Sequence, residues 1–377
     1  MNTVKTVLIS TASLPHDGVA SWTTELNYLL KRENELDYVV GPHSNIKIDK
    51  PIQISINEIS FLDKVKRKFN YKNRFNPYLR GLKKVLKLED KIILQVKDNY
   101  GLLKAVLAFV KKSQLRKRVY IQYHYHSFMP FSDEAFLLEQ IDELVLLTEE
   151  SYQKIKKETN TLPIRISINN DGVDSNLFKP VDKKKKQGLR KSLSLSSEKL
   201  IFIWTSQDRK KKGLDVILET WERIYSENQN IELLVFGLNK NIDVNGVKNM
   251  GQVPNSSLVN YYQSSDFFLF PTLCQEGFGL SLVEALKSGS YCIAADNGST
   301  PYILNNGQYG KLVDRPNMVN DWVRVIKSSI LEYEANDREN IFLERLPKNI
   351  YDMSDWCFRY NEIIKSAKKS FKHRYYI

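Results

Sequence analysis

The chain has 377 residues, 42% of them hydrophobic and 27% charged, and a formal net charge of +12. This length predicts two or three domains that can each bury a core. No run approaches the ~18 apolar residues of a membrane span, and the start lacks the features of a secretory leader. The cysteines lack the spacing of a zinc site or a disulfide framework. We therefore expect a cytoplasmic protein whose positive charge attracts anions: nucleic acid, an anionic membrane surface or phosphorylated small molecules.

Strand-like and helix-like segments alternate along the first half of the chain, which predicts α/β units around a parallel sheet. The predicted strands cover residues 5–10, 36–41, 90–96, 118–126 and 142–148, and the clearest helices cover 22–32 and 102–112. The strand at 90–96 is almost continuously apolar, which is typical of a strand buried on both faces.

The same alternation begins again in the second half. Strands are predicted at residues 199–206, 231–237, 265–271 and 291–296, with helices between them, one of which covers 213–225. The stretch 180–186 holds four consecutive lysines and no apolar period, so we predict a solvated linker there. The predicted domains are therefore residues 1–180 and 181–353, and an amphipathic helix at about 354–377 is expected to pack back on the first domain.

A short segment, CQEGFGLSLVEALKSGSYCIAAD, follows the predicted strand 265–271. Ligands of open α/β sheets bind beyond the carboxyl ends of the strands, which is where this segment starts. Gly277 and Gly279 allow the backbone to approach a ligand closely. The N–H groups of Phe278, Gly279, Leu280 and Ser281 open a helix, and a helix N-terminus attracts anions.

Two carboxylates flank this loop. Glu284 lies one turn into the predicted helix, where it can accept hydrogen bonds from a vicinal diol such as a ribose. Glu276 precedes the turn and can bind a second polyol. A phosphate site with a sugar at each end has the shape of a nucleotide-sugar. The structural alternative is that Glu276 caps the helix and Glu284 is a surface residue.

The string PTLCQEGFGLSLVEALKSGSYCIAAD resembles the Glu-x7-Glu signature of the retaining family 4 glycosyltransferases. The resemblance implies the α/β fold called GT-B, in which two Rossmann-like parallel-sheet domains face a central cleft and bind acceptor and donor respectively. It implies that Glu276 contacts the donor sugar and that Glu284 holds the nucleotide ribose. It also implies that the loop amides face the sugar and diphosphate, and that no metal or other cofactor is required.

The stretch QDRKKKGLDVILETW resembles the Arg-x4-Lys-Gly diphosphate clamp of that family. Lys212 matches the lysine, but Gln207 stands where an arginine is usual. Arg209 or Lys211 would then supply the missing charge, because a departing diphosphate gains negative charge in the transition state. The alternative for such a cation cluster is a solvated turn.

Other positions extend the resemblance. The loop STASLPHDGVASWTTEL is similar to the family's first glycine loop, with Gly18 near the distal phosphate or the acceptor. His124 and His126 lie two residues apart on one strand, and the family has a histidine near the donor sugar at this strand end. We favour His126, which is nearer the end; metal binding by the pair lacks a third ligand. Base recognition is expected through backbone groups near Gly237 and Val253.

Two further segments depart from the family pattern. INNDGVDSNLFKP resembles its Asn-Gly-Val-Asp segment, with Asp171 where an asparagine is usual, and is interpreted as a structural turn. NGSTPYIL resembles a glycine loop, with Tyr302 in place of a common glutamate.

Residues 61–88 hold ten Lys/Arg against one acid, with interleaved aromatic residues. Apolar residues from Tyr78 to Leu86 recur at helical spacing, with cations on the opposite face. A basic amphipathic helix is typical of a contact with an anionic membrane surface. The alternative is a helix that packs on the first domain with a solvated basic face.

We predict a retaining hexosyltransferase that uses a nucleoside diphosphate sugar and a glycan or lipid-linked sugar acceptor. A role in cell-surface polysaccharide synthesis and peripheral attachment to the inner face of the membrane are expected with it. The alternatives are a nucleotide-sugar epimerase or phosphorylase on the same fold, or a basic nucleic-acid-binding protein. Nucleic acid is not the expected partner, because no recognised module for it is present and it would not explain Glu276 and Glu284.

Overall fold

The computed structural model describes residues 3–16, 21–56, 74–126 and 135–373. Gly18 and the first part of the basic stretch, residues 61–73, lie outside the described residues. The chain divides into two compact units. The first contains Met1–Asp171 and Met353–Ile377, and the second contains Gly172–Asp352.

The described residues of the first unit form a seven-stranded sheet in the order β3-β2-β1-β4-β5-β6-β7, with every paired strand parallel. The strands are β1 Lys5–Ile9, β2 Tyr38–Pro42, β3 Ile52–Ile56, β4 Ile92–Lys97, β5 Val119–Tyr125, β6 Glu143–Leu146 and β7 Arg165–Ile168. The helices are Ser21–Leu30, Asn76–Leu88, Tyr100–Lys112, Ala135–Leu138, Glu149–Glu158 and, at the C-terminus, Met353–His373. The strand order reverses at β1, where Val7 lies between Tyr38 and Leu94, which makes a crevice at the carboxyl edge.

The C-terminal helix Met353–His373 belongs to the first unit because its apolar side packs on that sheet. Trp356, Tyr360 and Ile364 recur at helical spacing and pack in one buried cluster with Leu8 and Leu26. Nearer the C-terminus, Phe371 packs on Tyr120, with ring centroids 5.7 Å apart.

The basic helix Asn76–Leu88 also packs on the first unit. Its apolar residues Tyr78, Leu82, Val85 and Leu86 are buried in the main core. The apolar face is therefore not available for insertion into lipid, and what the helix exposes is its cationic side. That side carries Arg80, Lys83, Lys84 and Lys87. In the ranges described above, no helix is both long and apolar enough to cross a bilayer.

The second unit repeats the plan. Its described residues form a six-stranded sheet in the order β10-β9-β8-β11-β12-β13, again with parallel pairs. The strands are β8 Leu200–Thr205, β9 Ile231–Phe236, β10 Val247–Gly251, β11 Phe267–Phe270, β12 Tyr291–Ala295 and β13 Lys311–Val313. The helices are Lys183–Ser192, Leu214–Glu227, Asn255–Ser264, Leu280–Ser288, Thr300–Ile303 and Val319–Ala335, with 3-10 turns at Lys210–Lys212 and Leu343–Arg345.

The predicted linker at residues 180–186 is wrong in part, since its lysines begin the helix Lys183–Ser192. Asp182 caps this helix by accepting a hydrogen bond from the backbone N–H of Lys185. One turn in, Lys186 Nζ lies 2.8 Å from Asp266 Oδ1, and the buried Arg190 lies 2.5 Å from Asp266 Oδ2. These buried partners give the charged run a structural role that its composition does not reveal.

Candidate functional site

The loop after β11 turns into the helix Leu280–Ser288 at Gly279. Gly279 is the N-cap residue and has φ 98° and ψ 57°, a left-handed conformation that a side chain disfavours. A Cβ at Gly279 would also lie 3.2 Å from the Phe270 ring. The helix has no acidic residue in its first turn, so its N-terminal N–H groups face no carboxylate from their own helix. This arrangement suits an anionic ligand.

Glu276 is held by one of its two carboxylate oxygens. Its Oε1 lies 2.5 Å from Lys212 Nζ and accepts a 2.8 Å hydrogen bond from Thr272 Oγ1. Cys274 Sγ donates to the same oxygen at 3.6 Å. Within the described ranges Oε2 has no hydrogen-bond partner, and the side chain is 15% exposed. The carboxylate is therefore oriented by the protein through Oε1, and Oε2 could accept a hydrogen bond from a ligand.

Lys212 reaches Glu276 because its own loop is packed on the loop after β11. The turn Lys210–Lys212 ends at Gly213, which has φ 72°. A Cβ at Gly213 would lie only 1.9 Å from the carbonyl oxygen of Pro271, so glycine is required for this close approach. The backbone N–H of Leu273 donates to the carbonyl of Lys211 at 2.8 Å. The cation loop and the carboxylate loop therefore form one unit of structure.

A second loop supports the backbone of Glu276 from behind. Ser299 donates through its backbone N–H to the Glu276 carbonyl and through Oγ to the Gly277 carbonyl, at 3.1 and 2.7 Å. Gly298 packs so closely that a Cβ there would lie 2.4 Å from the Glu276 nitrogen. The segment that contains Tyr302 thus contributes backbone support next to Glu276 rather than a carboxylate.

Glu284 lies in the second turn of the helix and is half-buried. Burial raises the pKa of Glu284 to about 7, although Tyr262, which donates to its Oε2 at 3.4 Å, acts in the opposite direction. A carboxylate with this pKa changes charge near neutral pH. In its ionised form it can accept hydrogen bonds from the hydroxyl groups of a ligand.

The remaining predicted donor residues differ in exposure. Phe278 has its side chain buried, edge-on to Tyr351 at 5.2 Å between ring centroids, so it can offer only backbone groups to a ligand. Gly277 is buried, whereas Leu280, Ser281 and Val253 are half-buried. Arg209 is exposed, like Gln207 two residues before it.

The two histidine candidates lie in different environments in the first unit. His124 is buried in β5 opposite Lys97, with its ring centroid 5.6 Å from that of Tyr360. Burial, followed by the charge of Lys97, lowers the pKa of His124 to about 3. Its Nε2 is buried with no hydrogen-bond partner among the residues described. His124 is therefore a neutral ring under the C-terminal helix.

His126 comes one residue after the end of β5 and is half-buried. Its backbone N–H donates to Asp98 Oδ1 at 3.4 Å. Burial, followed by Lys97 and His124, lowers the pKa of His126 well below the usual value, so its ring is neutral too. The different burial of the two rings favours His126 as the histidine that can meet a ligand.

A buried charge cluster lies beside these histidines. Lys97 Nζ is 3.2 Å from Glu25 Oε2, and both side chains are almost fully buried. Asp171 is also buried; burial raises its pKa well above the usual value, and the charge of Glu25 and a hydrogen bond with Glu25 add to this. A neutral Asp171 is close in shape and hydrogen bonding to the asparagine expected at this position.

Thr272, Ser299 and Gly298 were not predicted from the sequence, although the structure places them against Glu276. Thr272 stands in the quoted PTLCQEGFG string, four residues before Glu276, so its position next to Glu276 in the sequence was the available signal. Ser299 and Gly298 come from the next strand-to-helix loop, and the signal was the resemblance of NGSTPYIL to a glycine loop.

A model of the family described as glycosyl transferases group 1 matches residues 185–341, all within the second unit. A D-inositol 3-phosphate glycosyltransferase from Corynebacterium glutamicum (strain R) is 25% identical over 198 residues, which are 48% of this chain and 47% of that protein. The chain thus spans about half the length of this curated relative.

Solved structures resemble the chain over nearly its whole length. Sucrose-phosphate synthase from Thermosynechococcus elongatus has a TM-score of 0.72 at 14% identity, covering 97% of this chain and 100% of that chain. Anabaena Alr3699/HepE, solved in complex with UDP and glucose, has a TM-score of 0.66 at 14% identity, with 96% and 100% coverage. At this identity the likeness concerns the fold. It confirms the predicted α/β architecture of two Rossmann-like parallel-sheet domains of the GT-B type.

Proposed function

We propose that this protein is a glycosyltransferase that moves a hexosyl unit from a nucleoside diphosphate sugar to a glycan or lipid-linked sugar, with retention of anomeric configuration. The observation that carries the proposal is the group formed by Lys212, Glu276 and Glu284 around the N-terminus of the helix Leu280–Ser288. The group combines a cation, a carboxylate with one unengaged oxygen, an anion site and a second carboxylate. The match to the group 1 family model over this part of the chain supports the same reaction class.

Each part of the donor, from the ribose to the hexose, is assigned to members of this group. Ionised Glu284 accepts hydrogen bonds from the ribose diol, and the N–H groups at the helix N-terminus bind the diphosphate. Glu276 accepts hydrogen bonds from the hexose through Oε2. Lys212 neutralises the diphosphate. The exposed Arg209 assists it and supplies the charge of the arginine that is usual at the position of Gln207.

The proposed chemistry takes place on one face of the sugar. The bond from the anomeric carbon to the diphosphate oxygen breaks, and the acceptor oxygen bonds to the same face. The acceptor proton goes to a diphosphate oxygen, so no protein nucleophile is consumed. Lys212 and the loop amides stabilise the negative charge that the diphosphate gains.

The charge stabilisation available from Lys212 and the helix N-terminus also leads us to propose that transfer requires no bound metal. This proposal is tested by measuring the rate of sugar transfer in the presence of EDTA, which we expect to equal the rate in the presence of Mg²⁺. A rate that EDTA abolishes and Mg²⁺ restores would contradict this part of the proposal.

We also propose that His126 and Gly18 of the first unit contact the substrates. Val253 of the second unit is proposed to contact the base. For the acceptor, we propose a lipid-linked sugar in cell-surface polysaccharide synthesis and peripheral attachment to an anionic membrane. The exposed cations of the helix Asn76–Leu88 support attachment by charge alone, since its apolar face is buried.

The activity is tested by release of nucleoside diphosphate from UDP-glucose and GDP-mannose in the presence of glycan acceptors. We expect release with one of the donors, and at least about a hundredfold lower rate in Glu276→Gln. Glu219→Gln, which alters an exposed glutamate of the same unit, is the control. The anomeric proton of the product, observed by NMR, reports retention or inversion. A folded enzyme with no release from either donor, or an unchanged rate in Glu276→Gln, would contradict the proposal.

A further inference from the structure

Thr272 is the most buried of the side chains that contact Glu276. It lies just after β11 and is 1% exposed. Its hydroxyl lies 2.8 Å from Glu276 Oε1, 3.3 Å from the Cys274 carbonyl and 3.4 Å from Cys274 Sγ. A hydroxyl has one proton to donate, and the carboxylate is both the nearest acceptor and the charged one. The proton of Thr272 therefore belongs to Glu276.

We propose that Thr272 is a positioning residue for Glu276: its hydroxyl holds Oε1 so that Oε2 stays available to the hydroxyl groups of the donor sugar. This inference rests on the proposed function. Its basis is that the contacts to Glu276 made by neighbouring side chains all go to one oxygen.

Lys212 does not perform this task alone once a donor is bound. The proposed function assigns its ammonium group to the diphosphate, and the lysine side chain is long and flexible. Thr272 has a β-branched side chain with a restricted χ1, so its hydroxyl keeps its position when Lys212 turns away. Cys274 Sγ is farther from Oε1, at 3.6 Å, and a thiol is a weak donor. Thr272 is then the strongest of the remaining neighbours that fix the rotamer of Glu276.

The loss of this hydroxyl has a selective consequence. Glu276 is assigned to the sugar, whereas the nucleoside diphosphate is bound by Glu284, Lys212 and the helix N-terminus. A variant without the hydroxyl should therefore bind a nucleoside diphosphate normally and lose the additional affinity that the sugar provides. A general loosening of the fold would weaken both ligands together.

The experiment compares UDP with UDP-glucose, and GDP with GDP-mannose, by calorimetry on the full chain. Thr272→Val removes the hydroxyl at nearly constant shape, and Thr272→Ser restores it. Thr220→Val is the matched control, because Thr220 is equally buried in the second unit and its hydroxyl donates to the Val216 carbonyl at 2.7 Å. Turnover is measured on the same proteins.

In Thr272→Val we expect unchanged nucleoside diphosphate affinity, about tenfold weaker nucleotide-sugar binding and at least tenfold slower turnover. Thr272→Ser should recover most of both losses, and Thr220→Val should show neither. We expect the sugar to change the affinity of wild type for the nucleotide. If Thr272→Val then shows the same difference in affinity and the same turnover as wild type, Thr272 has no positioning role. Equal losses for both ligand types contradict it as well. No response of wild type to any of the four ligands would instead overturn the proposed function on which the inference rests.

Discussion

Lys212 Nζ and Glu276 Oε1 form a 2.5 Å ion pair between two loops of the second unit, with the side chains 22% and 15% exposed. The pair brings together the two charges that the proposed function assigns to opposite parts of the donor. In the absence of donor each charge satisfies the other, so neither is left unpaired in a partly buried place.

A double-mutant cycle on Lys212→Met and Glu276→Gln tests the strength of this pair. We expect a coupling free energy of about 1–2 kcal/mol in chemical unfolding, between the values of exposed and buried pairs. The exposed pair Lys183 and Glu339, 2.7 Å apart, is the control and should show no measurable coupling. Strictly additive effects of the two substitutions would show that the ion pair contributes nothing to stability.

The pKa of Glu284, raised to about 7 by burial, predicts a pH dependence of nucleotide binding. The ribose hydroxyls donate to the ionised carboxylate, so affinity should rise with pH and level off above the pKa. Below it, affinity should fall by up to about tenfold per pH unit, because only the ionised fraction binds well. Calorimetry between about pH 5.5 and 8.5 with the nucleotide-sugar that binds measures this slope, because its doubly esterified diphosphate has no proton that titrates in this range. Glu284→Gln should remove the slope; the same slope in that variant would place the titrating group elsewhere.

Gly213 is expected to tolerate no side chain for two reasons. A Cβ would lie 1.9 Å from the carbonyl oxygen of Pro271, and the backbone φ of 72° is strained for any residue with a side chain. Gly251 is the matched control, because it has φ 70° and no atom lies within 4 Å of the position that a Cβ would take there. We expect Gly251→Ala to cost about 1 kcal/mol of unfolding free energy and Gly213→Ala clearly more. Equal costs in thermal unfolding would mean that the two loops are not in close contact.

The raised pKa of Asp171 predicts a stability that depends on pH. The fold favours neutral Asp171, whereas an unfolded aspartate ionises near pH ~4. The contribution of Asp171 to unfolding free energy is therefore largest at low pH and is lost as pH rises through its folded pKa. The groups around it are Glu25, Lys97 and Asp98.

Asp171→Asn stays neutral, so its stability relative to wild type should increase as pH rises from about 5 to 9. Chemical unfolding at several pH values measures the difference, with the exposed Asp49→Asn as control. A difference that is constant with pH, or that decreases, would contradict a neutral Asp171.

The interior of both sheets was predictable, but their edges were not. The strands predicted from the sequence correspond to β1, β2, β4, β5 and β6 in the first sheet and to β8, β9, β11 and β12 in the second. The four missed strands, β3, β7, β10 and β13, are the edge strands of the two sheets. Interior strands are buried on both faces and have continuous apolar runs. An edge strand such as Arg165–Ile168 is only half-buried, so its sequence does not show that pattern.

The residues of the candidate site could be proposed from the sequence where they lie in a recognisable string. Glu276 and Glu284 lie in one string, and the structure places Lys212 against Glu276. The string NGSTPYIL indicated a glycine loop, but the contacts of Ser299 and Gly298 with Glu276 depend on how two loops pack, which neither string predicts alone. The ion pair of Lys186 with Asp266 was missed for a related reason, since the two residues are distant in sequence. An isolated run of lysines is more typical of a solvated surface.

The central claim is that Glu284 and the N-terminus of the helix Leu280–Ser288 bind a nucleoside diphosphate. The most direct measurement is thermal stabilisation of the protein by UDP, GDP and ADP, repeated with Glu284→Ala and with the exposed-site control Glu334→Ala. A ligand at about 100 times its Kd should add about 2.7 kcal/mol to the free energy of unfolding. We predict stabilisation by one of these nucleotides, retained in Glu334→Ala and lost in Glu284→Ala. A folded wild-type protein that none of them stabilises, or equal stabilisation of Glu284→Ala, would contradict the claim.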